Sequence, residues 1–577
     1  MTYHSGRRLL CVICIALLVV WGISFSEYRA LGSAHVIVRA DRIITMDPQR
    51  TLATHLAMKD ERILAVGSAS DIELHRRWFT REVEYSDATI MPGLVEAHTH
   101  PVLAAVFHNW LDVSGISYPR SEQVYAALKR GIAERSKGEW VFAFGLDPVL
   151  TKDLELPDRD LLDELAPDNP VFIISQVIHT AWVNSAVLAA AGIDDSVQDP
   201  PGGHFERDAN GRLTGVVHEE AMKMLLVPTE TGALATLKQA LGVLIDFSDQ
   251  YLRYSQQGVT SIGVLGPAPM FEGYLSMLEW VGSSRRSPLR TYVMPLEGEI
   301  EKTDYSPGYQ NGRYRVIGVK LHMDGSPWTG GMATMDPYLV NDFTRNILGL
   351  PAGHRGILKH TPDEFRQLIA EYHAAGWQLA VHAHGERAQT LVLDAYEAAL
   401  TEVPRSDHRH RIEHVGLLRE SDMNRMQILG VSPSFFIDHI YYFGPTLRDD
   451  LLGAERASRF MALKSATDRL ERVTLHMDSP ATPIDPWRML RTATTRVPRD
   501  ESIALNGAQA MSVMDALEAV TIDAAWQLHA DAEIGSLEVS KYADLVVLSE
   551  NPLSLAPSQW HRIKTRAVWV GGQVIQH

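Results

Sequence analysis

The 577-residue sequence predicts an α/β chain built on a (β/α)8 TIM barrel, with a small β-sandwich assembled from both chain ends and a domain inserted after the first barrel strand. Three observations predict it. β-rich runs broken by Asp and Gly, such as "HVIVRADRIITMD" and "HLAMKDERILAVG", fill the stretch from His35 to Met91, and similar runs return in "ADLVVLSENP" and "TRAVWVGGQVIQH". Between these ends, short apolar segments alternate with amphipathic helical patterns. The first gap in that alternation, roughly 150 residues, is far longer than an ordinary crossover.

The chain therefore divides into a signal or membrane anchor at 1–34, a β-sandwich from 35–91 and 530–577, a barrel from 92–109 and 241–529, and an insertion at 110–240. Pairing the two β-rich ends with each other avoids open sheet edges at both termini. Arg7 and Arg8 precede an apolar run from Leu9 to Phe25, long enough for a short bilayer span, while Gly32 and Ala34 are small residues that suit a signal peptidase. Both readings imply export. In a bacterial cell the body would be periplasmic, either free or anchored to the inner membrane.

Eight barrel strands are expected to end in "GLVEAHTH", "GVTSIGVLG", "LRTYVMP", "VIGVKLHMDG", "WQLAVHAHG", "RHRIEHV", "GVSPSF" and "VTLHMDSP", with helices such as "TPDEFRQLIAEYHAAG" and "AQTLVLDAYEAAL" between several of them. Apolar residues make up 45% and charged residues 22%, the balance of a chain with a large core. The formal net charge of −17 argues against a nucleic-acid partner, which demands clustered Lys and Arg. The two cysteines, Cys11 and Cys14, both lie in the N-terminal apolar run, so any metal in the body must take N and O ligands.

His98-Thr99-His100 closes the first predicted strand. Strand residues two apart share a face, so both imidazoles can reach one ion, and barrel active sites lie at the C-terminal strand ends. His382, His414 and Asp478 stand at three other strand ends. Each alone reads equally well as a core histidine or a helix-capping aspartate; together they form a ligand set. Period two leaves alternatives open, since His384 shares a face with His382, His322 with Lys320 and His476 with Asp478. Lys320, on the barrel's inner side, needs a partner such as Asp324, a lowered pKa, or conversion to a carbamate that bridges two cations.

With "MPGLVEAHTH", "DNPVFIISQVIHTAWVNSAVLAAAGI", "GVKLHMDGS", "VHAHGERA", "RIEHV" and "MDSPATPIDPWRML", the chain resembles the amidohydrolase superfamily, and within it the amidohydrolase 3, YtcJ-like group that includes N-substituted formamide deformylases. The resemblance implies His98, His100, His382, His414 and Asp478 as metal ligands and Lys320 as a carboxylated bridge. The family usually reads "HAIGDRA" and "GSDAP" where this chain has "HAHGERA" and "HMDSP", which makes His384, Glu386 and His476 departures.

One or two divalent ions per chain are expected, zinc first, with manganese, iron or cobalt as alternatives. The implied chemistry is hydrolysis of a non-peptide C–N bond in an amide, formamide or cyclic amide by metal-activated water. Asp478 would shuttle the proton, and His439, on the loop after the seventh strand, would hydrogen-bond the carbonyl or oxyanion. His179, Trp182, Asn184 and Trp328 are the candidate substrate-facing residues. Deamination or ester hydrolysis on the same barrel, or an idle barrel kept as a scaffold, are the competing functions. The expected partner is a small-molecule substrate, with a homodimer left open.

Overall fold

In the computed structural model, residues 32–225, 237–267 and 273–576 are described. The predicted signal or anchor lies outside them except for residues 32–34. Among the described residues no helix is long and apolar enough to cross a membrane.

Strands from both chain ends are hydrogen-bonded into one seven-stranded sheet. Its junction is the antiparallel pairing of Leu545–Leu548 with Arg81–Pro92, in which Leu545 faces Pro92 and Val547 faces Ile90. Alternation then serves two cores from one strand. Leu545 and Val547 pack with Val38, Leu56, Ile90 and Trp569, whereas Val546 and Leu548 join the large central core.

Each of the eight predicted core segments contains one strand: β1 (Leu94–Thr99), β2 (Val259–Leu265), β3 (Arg290–Met294), β4 (Gly318–His322), β5 (Gln378–Ala383), β6 (Arg411–His414), β7 (Ser432–Phe435) and β8 (Thr474–Leu475). β1, β2 and β3 pair in parallel, and β4 to β8 form a second parallel series. A parallel bridge between Leu296 and Lys320 joins the two, with Lys320 N–H donating to the Pro295 carbonyl at 2.8 Å. At the other side His100 N–H donates to the Ser479 carbonyl at 2.9 Å, tying the end of β1 to the chain just after β8. β2 and β5 are buried along their whole length and read as apolar runs, as parallel strands covered by helices do.

The helix Pro362–Ala374 starts as its sequence dictates: the Thr361 hydroxyl accepts from the Glu364 amide, and the Glu364 carboxylate accepts from the Thr361 amide. The helix Glu386–Glu402 follows β5. Its entry at Gly385 admits no side chain, because a Cβ there would meet the Ala333 carbonyl oxygen at 2.0 Å. That close approach packs the segment after β4 against the end of β5.

Residues 111–219 form a six-stranded sheet of their own, edged by the hairpin Gly203–Arg207 and Leu213–Glu219. One face buries Phe172, Ile174, Ala181, Val183 and Val217; the other buries Val141, Ala143, Ile173 and Trp182.

Candidate active site

The ends of β1, β4, β5 and β6 and the segments after β7 and β8 bring together eight histidines, a lysine and an aspartate. β1 stops at Thr99 because Pro101 opens the helix Pro101–His108, leaving His100 at the junction. His98 and His100 are thereby aimed at Asp478. His100 Nε2 lies 3.0 Å and His98 Nε2 3.6 Å from Asp478 Oδ1, and His414 Nδ1 lies 3.9 Å from Oδ2. A second group forms around His382, whose ring centroid is 4.4 Å from His414 and 4.9 Å from His384. The donor atoms of His98, His100 and Asp478 lie within 4.8 Å of one another, as do those of His382, His384 and His414, and those of His98, His414 and His476.

Backbone strain gathers here. His414 has φ 70°, and the Val415 N–H donates to the Glu413 carbonyl at 2.9 Å, a γ-turn centred on His414. Val415 at φ 41° and Asp478 at φ 54° are likewise left-handed. Such residues cost of order 1–3 kcal/mol each and persist where the surroundings hold them, commonly at functional sites.

Burial sets the charge state. It pushes His98, His382, His384, His414 and His476 well below the ordinary histidine range, so their rings are neutral at pH 7 and offer lone pairs. Burial pushes Asp478 upward, but the hydrogen bond and charge of His100, with His476 and Lys320, outweigh it and keep the carboxylate ionised. Lys320 is 1% exposed and burial lowers it to about 8, opposed by Glu413 and Asp478. Its Nζ makes no hydrogen bond. Pairing with Asp324, one of the alternatives for Lys320, does not occur: Asp324 accepts the amides of Ala333, His384 and Gly385, each at 2.9 Å.

Metal fits this donor set. Lys320 Nζ, His382 Nε2, His384 Nδ1 and His100 Nδ1 are all buried without a hydrogen-bond partner. Buried polar atoms are almost always paired, and a cluster of exceptions at one place asks for a ligand. The donors are neutral nitrogen and carboxylate oxygen, the set that suits a borderline divalent ion.

Sequence reasoning passed over Glu413, Arg411 and Glu96. Glu413 Oε2 meets His98 Nδ1 at 2.8 Å and accepts from Arg411 Nη2 at 2.9 Å. Glu96 is buried, accepts the amides of His98 and Met477, and is pushed well above the carboxylate range by that burial. The signal for both was period two: Glu96 precedes His98 by two residues, and Arg411 precedes Glu413 by two.

The remaining expected residues separate. His439 lies in the first turn of the helix Asp438–Thr446 rather than on a loop, and its Nε2 accepts from Trp328 Nε1 at 3.3 Å. Trp328 stacks on Phe443. His179 Nδ1 meets Glu219 Oε1 at 2.9 Å. Trp182 and Asn184 are not brought to this site. Trp182 packs with Val141, Ala143 and Ile173 on the other face of the six-stranded sheet, because alternation turns it away from Ala181 and Val183. Asn184 caps the helix Ser185–Ala190, accepting from Val187 and Val171 amides and donating to the Asn169 carbonyl.

The amidohydrolase family model matches residues 82–576. Protein LONG AFTER FAR-RED 3 of Arabidopsis thaliana is 27% identical over 90% of this chain and 88% of its own length. N-substituted formamide deformylase of Arthrobacter pascens is 25% identical over 93% of this chain and 97% of that protein. A crystal structure of an uncharacterized metal-dependent hydrolase from Pyrococcus horikoshii OT3 covers 91% of this chain and 99% of its own, with TM-score 0.69 at 21% identity, a likeness of fold. With neutral imidazoles and an ionised carboxylate converging at the ends of parallel strands, and with that match across most of its length, this chain belongs to the amidohydrolase family of metal-dependent hydrolases.

Proposed function

We propose that the protein hydrolyses a non-peptide C–N bond of an amide, formamide or cyclic amide. The observation that carries this reading is the convergence of unpartnered buried nitrogens with the ionised Asp478. In it, β1 to β8 close into one barrel, the terminal sheet and the 110–240 region are separate domains, and His98, His100, His382, His414 and Asp478 hold one or two divalent ions, zinc first. A divalent ion held there polarises the carbonyl oxygen and lowers the pKa of water.

The chain's own residues account for the proton traffic. Asp478 accepts the proton of the attacking water and returns it to the leaving nitrogen, a step an amide requires because an amine anion is a poor leaving group. His439 serves the developing oxyanion. Since its Nε2 accepts from Trp328 and burial lowers its pKa to about 3, the neutral ring carries its proton on Nδ1, the unpartnered atom. Lys320, buried and unpaired, would add CO2 through its neutral amine, losing one N–H proton to solvent, and the resulting carbamate would supply a carboxylate to the bound ions. His179 and Trp328 contact the substrate.

The deformylase relative makes N-formyl compounds the first substrates to try. A hydrolysis screen of purified protein loaded with Zn²⁺ or Mn²⁺, across amides, N-formyl compounds, hydantoin-like rings and esters, tests the reading. Turnover of amides or N-formyl compounds supports it; turnover of esters alone, or of none of these by fully loaded protein, overturns it.

A further inference from the structure

A second cluster of metal-binding side chains lies on the edge hairpin of the six-stranded sheet. Gly203–Arg207 and Leu213–Glu219 pair antiparallel with His204 directly opposite His218, and Glu206 follows His204 by two residues on the same strand. The imidazoles stack with centroids 4.4 Å apart, and His218 Nε2 lies 2.8 Å from Glu206 Oε1. One donor atom from each of the three lies within 4.8 Å of the others. His218 Nδ1 is engaged at 3.0 Å by the Thr180 hydroxyl on the neighbouring strand, which fixes the ring and directs Nε2 at Glu206.

We propose that His204, Glu206 and His218 form a separate divalent-cation site, of the kind taken by Zn²⁺, Co²⁺ or Ni²⁺. Two imidazoles and a carboxylate are three of four tetrahedral ligands, leaving one position for water. The ion takes the place of the hydrogen bond between His218 Nε2 and Glu206, and the ring's own proton then sits on Nδ1, donated to the Thr180 hydroxyl. Cross-strand opposition supplies the geometry without loop rearrangement, because opposed residues on an antiparallel pair present their side chains to the same face. The ion fastens the hairpin one residue from Glu219, whose carboxylate meets His179 at 2.9 Å.

The test is metal counting on the purified full-length chain, stripped with chelator, titrated with Co²⁺ or Zn²⁺ and freed of excess ion. His204→Ala/His218→Ala should hold one ion per chain fewer than wild type while retaining hydrolysis of any substrate the wild type turns over. In a His98→Ala/His100→Ala background the hairpin ion should remain, which separates this site from the central one. Thr180→Val, which leaves all three ligands in place, should weaken the hairpin ion roughly tenfold. Equal ion counts in wild type and the hairpin double variant overturn the site, as does loss of all bound ion from the His98→Ala/His100→Ala chain.

Discussion

His98 on β1 and Glu413 on β6, far apart in sequence, share a 2.8 Å hydrogen bond through Nδ1, and Arg411 holds the carboxylate in turn. Glu413 thereby keeps the His98 proton on Nδ1 and leaves Nε2 facing Asp478 as a lone pair. Carboxylates placed behind metal-binding histidines commonly contribute 10–100-fold to affinity. Glu413→Gln should weaken the metal by roughly that factor, read by chelator competition, with melting temperature followed in parallel because Arg411 loses a buried partner. Unchanged affinity in a folded variant would remove Glu413 from this role.

Replacing His98 or His100 with Ala should remove at least one ion from the central site. Elemental analysis of metal-reconstituted protein reads the result directly. Wild-type protein that retains no ion after reconstitution with several divalent metals would show that the ligand assignment is wrong.

Lys320→Ala should lose central metal and activity, with partial rescue by short carboxylic acids that occupy the vacated space. The pH dependence has a definite sign. Carbamate forms from the neutral amine, and burial places Lys320 near 8, so the neutral fraction and carbamate loading of stripped protein should rise from pH 7 to 9. Mass analysis showing an unmodified amine in fully active, fully loaded protein rejects the bridge.

His439→Ala should lower kcat by about 10²–10³ while metal content stays at the wild-type level, the range expected for loss of one oxyanion donor. Trp328→Phe keeps the ring packing on Phe443 but removes the Nε1 donor, and it should lower kcat less. Full kcat in His439→Ala would assign the histidine to packing.

For the location, a reporter fused after Gly32 should act outside the cytoplasm, with Arg7 and Arg8 left inside. Activity confined to the cytoplasm would reverse the export proposal.

The sequence by itself determined the strand order and the chemical types available. Its apolar segments placed β1 to β8, its amphipathic stretch "TPDEFRQLIAEYHAAG" placed the helix Pro362–Ala374, and His98, His100, His382, His414 and Asp478 were visible because each sits where an apolar run ends. Local periodicity carries that much, since it records which side of a strand meets the core. It could not choose between neighbours two residues apart: the structure brings His384 and His476 into the cluster beside His382, His414 and Asp478, and it gives His382 and His414 partners from different strands. Nor could it separate Trp182, which packs on one face of the six-stranded sheet, from Trp328, which reaches His439. Only the tertiary structure paired Glu413 with His98 and left Lys320 without a partner. Those relations depend on which strands lie side by side and in what register, and pairing between distant segments leaves no mark on the periodicity of either one.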